Sequence, residues 1–312
     1  MAAQIPSYAD IAAQATRSAG SESRFPDGGA WRIEIPSVEG PAALSAVLDE
    51  AARTEVPVHR VSQGSGVMML RDAEIEAMLS LAGDYGTEVC LFLGPRGTWD
   101  IGAGTKTSTG GAGPRARGID QVTHSIDDAR RACDLGIRNL LIADEGVLWS
   151  LHSMRTAGEL PGDLRLKLSV LAGPANPIGF QVAAGLGADS INVQGDLTME
   201  QIAQLRRASP ATLDLYLEAP DDLGGYVRLT EAAELIRVAA PVYVKFGLRN
   251  APVMYPTGKH LEETAKATGI ERVRRARLTL DLLERNGGAP LPMSPVGDPT
   301  LTVPPRFVLC DG

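Results

Sequence analysis

Aromatic side chains are scarce in this chain, with 5 Phe, 6 Tyr and 3 Trp among 312 residues. Any core must therefore be aliphatic, and a hydrophobic fraction of 44% is enough to build a substantial one. Cysteine is scarcer still. Cys90, Cys133 and Cys310 stand far apart with no CxxC pair, which argues against a zinc ribbon or an iron–sulfur cluster and makes a disulfide framework pointless at this size. No apolar run approaches the roughly 18 residues of a transmembrane helix, so no membrane partner is expected. The first residues lack the charged start and apolar stretch of a secretory signal, so the expected location is cytoplasmic. Positive charge is in deficit, with 30 Lys and Arg against 38 Asp and Glu and a net charge of −8. That balance argues against a general nucleic-acid binder, although a local Arg/Lys cluster can still hold an anionic substrate.

What the chain does have is a rhythm. About eight times between Trp31 and Asn286 a short apolar run is followed by a polar loop and an amphipathic helix. This pattern predicts a single α/β domain, a (β/α)8 TIM barrel, over residues 31–286. An N-terminal arm or lid (1–30, helical over Tyr8–Ala19) precedes it. A Pro- and Gly-rich extended tail (287–312) follows, expected to pack along the barrel or against a second copy in a homo-oligomer. The expected strands are WRIEIP, VPVHRVS, EVCLFLG, IRNLLIAD, LRLKLSVL, ADSINVQ, TLDLYLEA and PVYVKFG. A long connection, PRGTWDIGAGTKTSTGGAGPRARGID, joins the third strand to a helix starting near Ser125, and its length suits a lid. Its GAGTKTSTGG segment is not a P-loop, because Thr105 stands where Gly must precede Lys106.

Alternate strand residues face opposite sides, so the apolar set of each strand assigns the other set to the barrel axis. Leu213, Leu215 and Leu217 face the helices, which turns Asp214, Tyr216 and Glu218 inward. The same logic turns Tyr243, Lys245 and Gly247 inward, with Lys167 and Ser169, Ser190, Asn192 and Gln194, and Arg32 and Glu34. Burying an ion costs several kcal/mol unless it is paired, so this set is either a structural ion-pair network or a site. Glu218, Lys245, Glu34 and Lys167 are the expected catalytic residues, with Glu218 foremost. Either lysine can act as base or Schiff-base nucleophile if neighbouring cations lower its pKa.

Around the rim, Arg249 and Asn250 follow the eighth strand, where many barrels hold a phosphate or carboxylate. Gln63 and Ser65 sit in QGSG, whose backbone amides can cradle an anion or form a tight turn. With Arg96, Asn192, Gln194 and Tyr243 these are the expected substrate-binding residues. His59, Asp144 and Glu145 are the candidate ligands should a divalent metal be used. No HExxH-type spacing ties them together, and His59 is equally a core histidine. The last helix, about Glu271 to Arg285, shows Arg272, Arg274, Arg275 and Arg277, which read as a solvated basic face.

RIEIPSVEGP, HRVSQGSGVMM and GADSINVQGDLT together resemble bacterial barrel proteins near the U32 peptidase family, over most of Trp31–Asn250. The resemblance implies a barrel with peptidase or collagenase activity, or in some members an iron–sulfur cluster that assists hydroxylation. The cysteine signature of that family has no counterpart in this chain, and no Ser-His-Asp arrangement is visible. The residues themselves suit acid/base chemistry on a small carboxylated or phosphorylated metabolite, of lyase, aldolase or isomerase type. In that reading Glu218 and Lys245 transfer protons, Glu34 orients and Arg249 holds the anion. The alternatives are a U32-like hydrolase and a non-catalytic barrel serving as a partner or regulatory subunit.

Overall fold

Eight strands pair in parallel in chain order and close on themselves. They are β1 (Trp31–Pro36), β2 (Arg60–Ser62), β3 (Glu88–Phe92), β4 (Asn139–Ile142), β5 (Arg165–Leu168), β6 (Ser190–Asn192), β7 (Thr212–Glu218) and β8 (Val242–Phe246). The protein is a TIM barrel, as the repeat predicts. The computed structural model describes residues 18–94, 115–252 and 254–304. The arm helix expected over Tyr8–Ala19 falls almost wholly outside the described residues, as do Arg96, most of the long connection after β3, and Cys310.

Among the described residues eight helices surround the sheet: α1 (Pro41–Arg53), α2 (Asp72–Tyr85), α3 (Gly118–Asp134), α4 (Glu145–Thr156), α5 (Pro177–Gly185), α6 (Met199–Ala208), α7 (Ala232–Ala239) and α8 (Glu262–Arg285). Their starts are written locally. Asp144 caps α4 by accepting from the Val147 amide, Asn176 does the same for α5, and Thr198 with Gln201 forms a capping box at α6. α3 starts at Gly118 rather than near Ser125, and α8 at Glu262 rather than near Glu271. None of the described helices is long and apolar enough to cross a membrane.

The aliphatic core lies between sheet and helices, where Ile33, Ile35, Leu213, Leu215, Val242 and Val244 are fully buried. The other face of each strand lines the axis. Register places Glu34 opposite both Arg60 and Lys245, Lys167 opposite Ser190, and Asp214 opposite Asn192 and Tyr243. In β2 the inward residues are therefore Arg60 and Ser62. His59 lies one residue short of the strand, at the N-terminal end of the barrel and not at its mouth. Its Nδ1 accepts from the Ile33 amide at 3.0 Å, and its Nε2 faces the Ser294 carbonyl at 2.8 Å.

The arm and the tail meet at that N-terminal end and close it. Ala30 donates to the Pro292 carbonyl at 2.7 Å, and Ser294 to the Trp31 carbonyl at 3.1 Å. Arg32 reaches into the closure, bonding Asp27 at 2.8 Å, Ser294 Oγ at 3.0 Å and Thr300 Oγ1 at 3.0 Å. Tyr243 donates to Glu88 at 2.7 Å, and Glu88 also accepts the Thr302 amide at 2.8 Å. The described arm residues thus cover the end opposite the one where a lid would act, and the C-terminal mouth stays open.

Burial lowers the His59 pKa from 6.5 to about 4. The unfolded chain binds this proton below pH 6.5, and the folded chain resists it down to about pH 4. Stability is then lost as pH falls through that window, by on the order of 3 kcal/mol. Urea unfolding of wild type and His59→Gln at several pH values checks this. The two should differ in slope between pH 6.5 and 4 and run parallel above it.

Candidate functional site

Glu34 is the hub of the axis. Its carboxylate takes Lys167 Nζ at 2.6 and 2.5 Å, Arg60 Nε at 2.7 Å and Ser62 Oγ at 2.7 Å, with Lys245 Nζ at 3.3 Å. Burial alone would raise this carboxyl, but Arg60, Lys167 and Lys245 outweigh it and hold it well below the usual carboxylate range. Arg60 bridges to Asp214 at 2.5 Å and stacks over the Tyr243 ring at 3.6 Å. Asp214 also accepts from Ser190 at 2.9 Å and lies 3.4 Å from Lys167. Burial and the neighbouring Arg60 push the Lys167 ammonium down, against the pull of Asp214 and Glu34. Within ion-pair distance three cations thus share two carboxylates, Glu34 and Asp214, and the buried Glu88 acts on Arg60 from the layer below.

Of the three cations, Lys245 lies toward the mouth. Above the network, a cavity of about 200 Å³ opens at the C-terminal end of the strands, with Lys245, Asn192, Ser62 and Ser169 among its lining. Lys245 Nζ sits 4.4 Å over the Tyr216 ring, and the Asn192 amide satisfies its neighbours in the orientation that puts its oxygen 2.8 Å from Nζ and lets its nitrogen donate to the Asp214 carbonyl. Lys245 is therefore held between a carboxylate, an amide and an aromatic face, with its remaining side open to the cavity. Phe92, Leu141 and Val170 are among the apolar residues of the wall, and Tyr255 and Arg272 join from the loop after β8 and from α8.

The expected residues divide into those the structure brings together and those it does not. Glu34, Lys167, Lys245 and Asn192 converge on the axis, with Gln63 on the cavity wall. Glu218 does not face inward. A bulge in β7 lets Tyr216 pair with Lys245 and Glu218 with the outward Phe246, so parity slips by one residue. The Glu218 carboxylate instead accepts the Arg249 amide at 2.9 Å and lies 3.0 Å from Arg275 of α8. Tyr243 belongs to the closed N-terminal layer, and Gln194 ties the β5 loop by donating to the Val170 and Gly173 carbonyls.

Both places expected to receive an anion already hold one of the chain's own carboxylates. The amides of Gly64 and Ser65 donate to Glu39 at 2.7 and 3.0 Å, while Ser65 Oγ accepts the Thr257 amide. Gly64 is needed there, since a Cβ would come within 2.6 Å of the Tyr255 ring. On the rim, Arg249 Nε and the Asn250 amide both bond Asp221, at 2.9 and 2.6 Å. The metal candidates do not converge either. His59 has both ring nitrogens engaged at the far end, Asp144 caps α4, and Glu145 pairs with Arg115. Among the described residues no group of His, Cys, Asp and Glu could hold a metal ion.

Two residues of consequence escape the sequence reading. Arg60 is hidden because VPVHRVS fits either parity, and a histidine draws attention to the wrong one. Arg272 is hidden among surface arginines, although it falls on the helical stripe Ala265, Thr268, Gly269, Arg272, Val273 and Ala276, all buried. That spacing is the signal that finds it.

No family model and no curated protein matches the chain. Solved structures do. They include a U32 peptidase, 19% identical over 64% of this chain and 75% of that one with a TM-score of 0.41. Oxaloacetate acetylhydrolase in complex with the product oxalate is 12% identical over 71% and 81%, with a TM-score of 0.45. A proposed fructose-1,6-biphosphate aldolase from Coccidioides immitis is 10% identical over 83% and 91%, with a TM-score of 0.50. At these identities the likeness shows the barrel and carries nothing about chemistry.

Removing the hub charge should expose its role. Glu34→Gln leaves Arg60, Lys167 and Lys245 facing Asp214 alone, and breaking such a buried network costs about 3–5 kcal/mol. Denaturant unfolding should show that loss. A change under about 1 kcal/mol would mean that the cations do not depend on Glu34.

Proposed function

We propose that this protein is an enzyme acting on a small anionic metabolite, carboxylated or phosphorylated, bound in the C-terminal cavity. The reaction type we assign is proton transfer of the lyase, aldolase or isomerase kind. One observation carries the reading: the cation on the cavity floor, Lys245, has no carboxylate of its own, because its nearest, Glu34, is shared with Arg60 and Lys167. In a site shielded from water such a cation is costly, and an anionic ligand or a developing oxyanion is what relieves it.

The roles follow from position. Lys245 is the ionisable group on the floor, with a carboxylate behind it and an amide beside it. Its ammonium suits the oxygen of an enolate or alkoxide, and its free amine suits a proton α to a carbonyl or the carbonyl carbon itself. Glu34 and Asn192 are positioning residues that hold Nζ. Lys167, fixed between Glu34 and Asp214, has no free side to offer. Tyr216, Ser62 and Ser169 supply hydroxyls around the same volume. Glu218, turned toward α8, has no part in it.

A thermal-shift screen of organic acids and sugar phosphates finds ligands, because selective binding raises the stability of the folded state. On a metabolite that wild type converts, Lys245→Met should fold and lose about 10²–10⁴-fold in turnover. Turnover that survives this change would sink the assignment, as would a peptide cleaved equally well by wild type and variant.

A further inference from the structure

Arg272 is only 3% exposed, it lines the cavity, and its Nε and Nη1 have no hydrogen-bond partner among the described residues. Its neighbours on α8 facing the barrel are Thr268, Gly269, Val273 and Ala276, a stripe in which Leu or Met would serve packing better. Burial pushes its guanidinium below the usual arginine range, and Tyr255, Tyr216, Glu39 and Glu218 only partly restore it. A buried guanidinium lacking acceptors destabilises a fold unless something brings them. Because helices of a barrel run antiparallel to its strands, the first half of α8 lies beside the mouth, where a ligand can do so.

We propose, building on the reading of this cavity as a substrate site, that Arg272 is its anion-recognition residue and that the anion is the carboxylate of a small organic acid rather than a phosphate ester. Size agrees, since about 200 Å³ lies below the roughly 300–1,000 Å³ of drug-sized sites. The means of holding a phosphate are spent elsewhere. The Gly64 and Ser65 amides hold Glu39, and Arg249 with the Asn250 amide holds Asp221. Asp221 and Asp222 also line the mouth and oppose a dianion more than a single carboxylate. One planar guanidinium matches one carboxylate through two parallel N–H bonds. With the carboxylate there, an adjoining oxo or hydroxyl group would face Lys245.

Calorimetry of the full chain with pyruvate, malate, succinate, glycerol 3-phosphate and inorganic phosphate tests this. At least one carboxylic acid should bind, and more tightly than either phosphate. Arg272→Met should weaken it by about 30-fold or more, as expected for a desolvated charge pair that loses one partner. Without ligand the same variant should melt higher, by roughly 2–6 °C, because an unpaired buried charge is gone. Arg272→Lys keeps the charge and loses the fork, and should bind at least about tenfold more weakly. A phosphate that binds best, or affinity unchanged in Arg272→Met, overturns the assignment while leaving the site an anion site. A variant that unfolds or melts lower marks Arg272 as structural and overturns it too. No binding of any probe to wild type overturns the substrate-site reading along with it.

Discussion

The carboxylate of Glu34 is what the barrel interior depends on. Around it three cations approach within 3.3 Å or less, in a position where water cannot share the load. Most barrels fill this volume with branched aliphatic side chains. Here most aliphatic strand residues are committed to the other face of the sheet, against the helices, with Leu141 of β4 an inward exception. The axis is built from hydrogen-bonded charge, which is tolerable only when every partner is in place. Such an interior is rigid for the same reason. Lys245 is aimed at the cavity because Glu34 and Asn192 leave its Nζ no better place to go.

The chain repeatedly uses its own acids at positions that suit an anionic ligand. Glu39 fills the amide cradle after β2, Asp221 fills the arginine and amide pair after β8, and Glu218 holds the start of that same loop. Each acid ties a loop of the mouth to its neighbour. These contacts tie the described loops of the rim to one another, and they thin out the candidates for ligand recognition to the cations that remain.

The barrel was legible because strand parity and helix spacing are local rules that repeat. Most of the axis was legible too: Glu34, Lys167, Asp214 and Lys245 all follow from alternation within a strand. The failures come where a local rule meets a non-local fact. Parity in VPVHRVS cannot be chosen until Arg60 pairs with Glu34 across the sheet. The bulge in β7 exists only against β8, so it reverses Glu218 without any mark in TLDLYLE. Arg272 was misassigned for another reason. The basic residues were counted as a run, whereas the stripe of buried positions three and four apart was the informative pattern.

Charge balance along the axis then explains why one end is sealed and the other is not. At the N-terminal end every group is hydrogen-bonded: Arg32 to Asp27, the Tyr243 hydroxyl to Glu88, and Glu88 again to Thr302 of the tail. Midway, Arg60 is shared between Glu34 and Asp214. Above this level Lys245 has only a share of Glu34, and there the barrel opens. A cation without its own carboxylate, sealed at the N-terminal end, would cost stability with nothing to offset it. Placed at the mouth, the same cation faces whatever anion enters, so its cost becomes a source of binding energy.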